Sequence, residues 1–86
     1  MPYYVYMIKT IGNSYSKSYV GYTNDINRRI KKHNENKGAK STRGFKWKLI
    51  FHRKFLSKSA AMSYEYKLKK NYRLRKKIKE NYINNE

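Results

Sequence analysis

Two short segments rich in tyrosine and β-branched residues constrain the fold most: YYVYMIKT, residues 3–10, and SYVGYT, residues 18–23. Tyr, Val and Ile suit the pleated, half-buried surface of a sheet. IGNSYSKS bridges the two with Gly, Asn and Ser, which favour a turn. The pair therefore reads as an antiparallel hairpin. WKLIFHRKF, residues 47–55, is a third strand, with Leu49, Phe51, Arg53 and Phe55 expected on one side.

Helices fill the rest. Thr23, Asn24 or Asp25 can cap a basic helix that runs to about Asn34, with Ile26 and Ile30 inward and Arg29 and His33 sharing another face. Residues 34–46 have two glycines, several cations and no apolar period, so they form a loop. Ser57 or Ser59 caps a helix whose inner face carries Ala61, Tyr64 and Leu68. A last basic helix has Leu74, Ile78 and Tyr82 at intervals of four. The order β-β-α-β-α-α predicts one α+β domain over residues 1–86, a small three-stranded antiparallel sheet flanked by helices. A chain of 86 residues allows one modest core.

Charge narrows the partner. The chain holds 22 Lys and Arg against 5 Asp and Glu, a net charge of +17. Such an excess repels itself unless an anion screens it, so the expected partner is a polyanion: DNA, RNA or an anionic membrane. The 16% aromatic content, with ten tyrosines, argues against a disordered basic tail. No apolar run is of membrane-spanning length, and no segment resembles a signal peptide. Cysteine is absent, which removes disulfides, thiolate catalysis and Cys-type zinc sites. The expected location is intracellular, in the cytoplasm or the nucleus (the host nucleus for a viral protein), not secreted. An anionic membrane surface is a weaker alternative, because the last helix carries only a thin apolar stripe.

Several polar residues fall among the apolar ones in a pattern that suits chemistry on phosphate. Tyr6 and Tyr19 can meet on one face of the hairpin, and Gly21 points to the same side, leaving the backbone open to a substrate. Arg29 and His33 project from the helix that begins beside Gly21. Glu65 is the sole acidic residue between Glu35 and Glu80. A carboxylate repels a phosphodiester unless a divalent cation bridges the two, and Mg2+ takes hard oxygen ligands of this kind. An arginine stabilises charge growing on the phosphate, and a tyrosine or histidine accepts the proton of the attacking water. Singly, each residue has a plainer reading: tyrosines that pack, a glycine at a bulge, a solvated Arg/His face, and a Glu65–Lys69 ion pair along one helix.

Taken together and in order, these residues resemble the GIY-YIG nuclease domain. Tyr4-Val5-Tyr6 and Tyr19-Val20-Gly21 stand at its two signature elements, with Tyr4 in place of the first glycine and Val20 in place of isoleucine. Arg29 follows Tyr19 by ten residues, His33 matches a histidine of many members, and Glu65 matches the glutamate of the later helix. HNENKGAKSTRG, residues 33–44, and SAAMSYEYKLKK, residues 59–70, are similar to the small stand-alone YhbQ-like (UPF0213-type) group, related to the nuclease subunit of structure-specific resolvases. The resemblance runs from Pro2 to Ile78.

It implies a metal-dependent endonuclease that hydrolyses DNA phosphodiesters and selects structure rather than sequence. Glu65 would hold one Mg2+ or Mn2+. Tyr19 would be the general base or its relay, Tyr6 would orient the water, and His33 is the rival base. A tyrosine with its ordinary pKa near ~10 is a poor base unless nearby cations lower it. Arg29 would clamp the scissile phosphate. Gly21, Arg28, Lys37, Lys40, Thr42 and Arg43 would touch the nucleic acid, giving affinity rather than sequence reading. With no separate reader domain, substrate selection calls for a homodimer or a partner protein. The alternative is a nucleic-acid-binding protein on the same fold with weak or no catalysis.

Overall fold

A computed structural model describes residues 1–12 and 17–84. The turn expected over 11–18 lies partly outside the described residues. Strands β1 (Tyr3–Thr10), β2 (Ser18–Thr23) and β3 (Trp47–Phe55) form one antiparallel sheet in the order β2-β1-β3. Helices α1 (Ile26–Asn34), α2 (Lys58–Lys70) and α3 (Tyr72–Asn84) flank it, and a 3-10 turn (Lys40–Thr42) interrupts the loop before β3. The protein is thus α+β, with the β-β-α-β-α-α order expected from its pattern.

β1 is central because it is apolar on both faces: Val5, Tyr6, Met7 and Ile8 are all fully buried. Val5, Met7 and Val20 pack against Ala61 and Leu68 of α2, with Leu74 and Ile78 of α3 closing that layer. Tyr6, Ile8 and Trp47 face the other way, under Ile30 of α1 and beside Phe45 and Leu49. One sheet therefore separates two small cores, and the polar site develops on the α1 side.

The sides of β3 differ from the expected alternation. Its register against β1 shifts between Met7, opposite Phe51, and Ile8, opposite Leu49, so Ile50 is an extra residue in a bulge. Ile50, Phe51 and Phe55 pack on the α2 side, while Leu49 joins Tyr6 and Ile8 on the α1 side. Leu49 does not share a face with Phe51, because one inserted residue inverts the period-2 pattern.

Side chains at the element ends hold the layers in place. Asp25 caps α1 by accepting from Arg28 N at 3.1 Å. Ser57 does the same for α2 through Ala60 N at 3.1 Å. Asn71 caps α3 through Leu74 N at 3.0 Å, so the break between α2 and α3 is a fixed corner. Such caps contribute about 1 kcal/mol each. Asn34 ties the end of α1 to β3, its Oδ1 accepting from Trp47 N at 2.6 Å and its Nδ2 donating to Trp47 O at 3.1 Å. Among the described residues, no helix is long and apolar enough to cross a membrane.

Candidate active site

The hairpin register sets the first two groups. Tyr6 stands opposite Gly21 and Ile8 opposite Tyr19, so Tyr6 and Tyr19 are diagonal neighbours on the α1 face. Their ring centroids lie 6.4 Å apart. A Cβ on Gly21 would sit 2.5 Å from the Tyr6 hydroxyl oxygen and 2.8 Å from its Cζ. The clearance at Gly21, expected to admit a substrate, is taken up by the Tyr6 side chain.

α1 brings His33 beneath both rings. His33 is fully buried, 5.8 Å from the Tyr6 centroid and 5.1 Å from that of Tyr19. Its Nε2 lies 2.8 Å from Tyr6 Oη and its Nδ1 2.9 Å from Thr42 Oγ1. The Thr42 hydroxyl donates to Ala39 O at 2.8 Å, and Arg29 Nε donates to Tyr6 Oη at 3.2 Å. A guanidinium only donates and a carbonyl only accepts, so the two ends set the direction of the chain. Thr42 has given its one proton to Ala39, so His33 Nδ1 carries hydrogen and donates to Thr42. His33 Nε2 is then bare and accepts the Tyr6 hydroxyl proton. The imidazole is neutral and in its Nδ1–H form.

The electrostatics agree with that assignment. Burial, reinforced by the Arg29 charge, pulls the His33 pKa down to about 4. Burial pushes Tyr6 up to about 12 although the Arg29 hydrogen bond and charge oppose it. Arg29 is held protonated, first by its bond to Tyr6, with the Tyr19 hydroxyl adding to the effect. Tyr6 is therefore a neutral donor, and Arg29 faces two phenol oxygens.

The loop before β3 is built around the histidine. Thr42, expected on a phosphate path, is instead fully buried, its hydroxyl held by His33 and Ala39. Its carbonyl accepts from Trp47 Nε1 at 2.9 Å. Gly38 lies against the imidazole, where a Cβ would collide with Nδ1. Gly38, the Ala39 carbonyl and Trp47 are supports that reasoning from the sequence missed. The small pair Gly38-Ala39 directly after the histidine helix was the available signal. Arg28, Lys37, Lys40 and Arg43 are exposed. Arg28 and Arg29, with Lys32, line an open depression at the start of α1.

Glu65 comes from α2. Its side chain is 15% exposed, and Oε1 lies 3.0 Å from Lys69 Nζ one turn on. That ammonium lies 5.7 Å from the Tyr19 ring centroid. The Glu65 charge contributes to the raised pKa of Tyr6, which places it within electrostatic reach of that phenol. Among the described residues, no group of three or more His, Asp or Glu side chains could enclose a metal. One nearly buried carboxylate that already attracts a cation still fits Mg2+ or Mn2+. Mg2+ commonly keeps water and phosphate oxygens and takes only one or two carboxylates.

A sheet that sets two tyrosines beside an arginine and a histidine from the next helix, with a glutamate of the later helix within electrostatic reach of Tyr6, matches a known class of catalytic domain. A family model for the GIY-YIG catalytic domain covers residues 2–79, and the chain belongs to that family. Membership implies nuclease activity and a nucleic-acid substrate. The chain is 44% identical to the UPF0213 protein YazA of Bacillus subtilis over 94% of its own length and 77% of that protein's. It is 46% identical to the UPF0213 protein BH0048 of Halalkalibacterium halodurans over 80% of its length and 71% of the relative's. A UPF0213 protein of Streptococcus pneumoniae is 45% identical over 85% and 72%. The solution NMR structure of BH0048 aligns with a TM-score of 0.49 at 42% identity, covering 90% of this chain and 80% of that one.

Proposed function

We propose that this protein is a metal-dependent endonuclease that hydrolyses phosphodiester bonds in DNA and selects its substrate by structure rather than sequence. The observation that carries this reading is the polar chain from Arg29 through Tyr6 and His33 to Thr42 and Ala39. It fixes a permanent cation beside two phenol hydroxyls on the face that α1 and its arginines leave open. The net charge of +17 supports a polyanionic substrate.

In this reading Arg29 holds the scissile phosphate and opposes the charge that grows on its oxygens. Tyr19 is half-buried with a route to solvent and acts as a relay, accepting the proton of the attacking water as its own hydroxyl proton passes to solvent. Tyr6, fully buried, keeps its own proton on His33 and accepts from Arg29, so it positions the guanidinium rather than orienting the water itself. His33, buried with both nitrogens engaged, acts through Tyr6 as a positioning residue. Glu65 would hold the divalent ion once Lys69 releases it. A bound ion there supplies neutralisation of the phosphate charge. Arg28, Lys37, Lys40 and Arg43 track the backbone. A homodimer or partner protein would add further selection, in an intracellular setting.

The test is cleavage of labelled duplex, single-stranded, flapped and four-way DNA in Mg2+, Mn2+ or EDTA, beside Glu65→Ala. Metal-dependent cutting that vanishes in the variant supports the reading. Tight binding without cutting, equal in both proteins, leaves a binding module on a nuclease fold.

A further inference from the structure

We propose that the corner between α2 and α3 is a stacking platform for an unpaired nucleic-acid strand, with Tyr72 and Tyr66 as the surfaces on which bases stack. The proposal rests on the reading that the substrate is a nucleic acid. It does not depend on cleavage.

The first observation is selective exposure. The chain has ten tyrosines. Tyr15 lies outside the described residues, and of the others only Tyr66, at 59%, and Tyr72, at 67%, are mostly exposed. Both line one shallow depression, together with Lys67, Lys70 and Arg73 and with no acidic side chain. The Lys70 ammonium rests 4.5 Å from the Tyr66 centroid. Aromatic faces interleaved with cations suit a strand whose bases are unstacked: the rings take the bases and the cations follow the phosphates. A duplex keeps its base faces inside and can use only the cations.

The second observation is continuity with the candidate active site. Arg75 Nη1 donates to Leu68 O at 2.9 Å and also to Lys69 O, which anchors the guanidinium on the end of α2. Arg75 shares a depression with Tyr19 and Lys69, and its guanidinium carbon lies 6.0 Å from the Tyr72 centroid. A path of cations thus runs from Tyr19 past Lys69 and Arg75 to Tyr72. The Asn71 cap makes the corner rigid. A strand leaving Tyr19 along this path would let the chain distinguish tailed or branched DNA from plain duplex.

The test is fluorescence anisotropy in EDTA, so that cutting plays no part. The probes are a blunt duplex and the same duplex bearing a single-stranded oligothymidine tail. The wild type should prefer the tailed probe. Tyr66→Ala/Tyr72→Ala should weaken tailed binding by about tenfold or more while leaving the blunt duplex unchanged. Tyr66→Phe/Tyr72→Phe should keep the wild-type preference, since the ring face remains. The proposal is overturned if the wild type shows no preference, if the alanine variant loses both probes equally or neither, or if phenylalanine fails like alanine. A protein that prefers the tail yet never cuts would sink the nuclease reading and leave the platform standing.

Discussion

The hydroxyl of Tyr6 lies 2.8 Å from Nε2 of His33, and both side chains are fully buried. Burying a phenol and an imidazole is costly unless every polar atom finds a partner. Here every one does: among the described residues, no buried side-chain nitrogen or oxygen lacks a hydrogen bond. The pair joins β1 to α1 and holds the oxygen that receives Arg29 Nε. Core structure and site geometry are therefore one network on the α1 side of the sheet.

That network makes stability depend on pH in a defined window. The folded His33 pKa is depressed to about 4 from an ordinary 6.5. The unfolded chain thus binds a proton that the folded chain refuses. Stability is complete above about pH 6.5 and declines as pH falls toward 4, by roughly 3 kcal/mol from this group. His33→Gln removes the titration, so its urea-unfolding free energy should fall less steeply between pH 7 and 5 than that of the wild type. Equal slopes in the two proteins would falsify the assignment of a neutral, buried His33.

Gly21→Ala tests the packing of the same phenol. The new methyl would lie 2.5 Å from Tyr6 Oη and 3.1 Å from a Tyr19 ring carbon. Tyr6 cannot swing away without giving up His33 and Arg29. The expected loss is about 1–3 kcal/mol, typical of overpacking, with cleavage falling more than DNA binding. A variant as stable and as active as the wild type would mean that Tyr6 has room to move.

Much of this arrangement is legible in the sequence, for a physical reason. The Tyr, Val and Ile content of 3–10 and 18–23 marks two strands, and the two-residue repeat of a strand then places Tyr6, Tyr19 and Gly21 on one face of the hairpin. Regular helical spacing likewise foretells the Glu65–Lys69 pair. The bulge at Ile50 is not legible, since an inserted residue has no side-chain signature and merely inverts the faces around it. Thr42 is also hidden. KGAKST reads as a solvated polar loop, and only the 3-10 turn carries the threonine inward to the imidazole. Buried polar partners distant in sequence leave no periodic trace.

The burial of Thr42 separates it from its exposed neighbours. Lys40 and Arg43 should contact phosphates, so Lys40→Ala/Arg43→Ala should weaken DNA binding uniformly across sequences. The slope of log affinity against log salt should drop by about one for each phosphate contact removed. Thr42→Val should leave that slope unchanged and lower stability by about 1–3 kcal/mol, because His33 Nδ1–H and the Ala39 carbonyl lose their shared partner. Salt titrations of the two variants, run with urea melts, check both halves. A changed salt slope in Thr42→Val would place its hydroxyl on the nucleic acid.

Arg29→Lys asks whether the guanidinium geometry matters or only its charge. Lysine keeps the positive charge but lacks Nε and the planar set of donors that reaches Tyr6 and a phosphate together. Cleavage at saturating DNA should fall about 10²- to 10³-fold, the loss typical of one preorganised donor, with affinity little changed. Arg29→Ala adds an independent readout. Arg29 is the charge that helps depress His33, so its removal should raise the His33 pKa from about 4 toward 6.5, visible in an NMR titration of the ring protons. Burial, the larger cause, remains and keeps the value below 6.5. If Arg29→Ala abolished cleavage yet left the His33 titration in place, the arginine would act on the phosphate without holding the buried chain. If the titration moved and Arg29→Lys cut normally, charge alone would suffice.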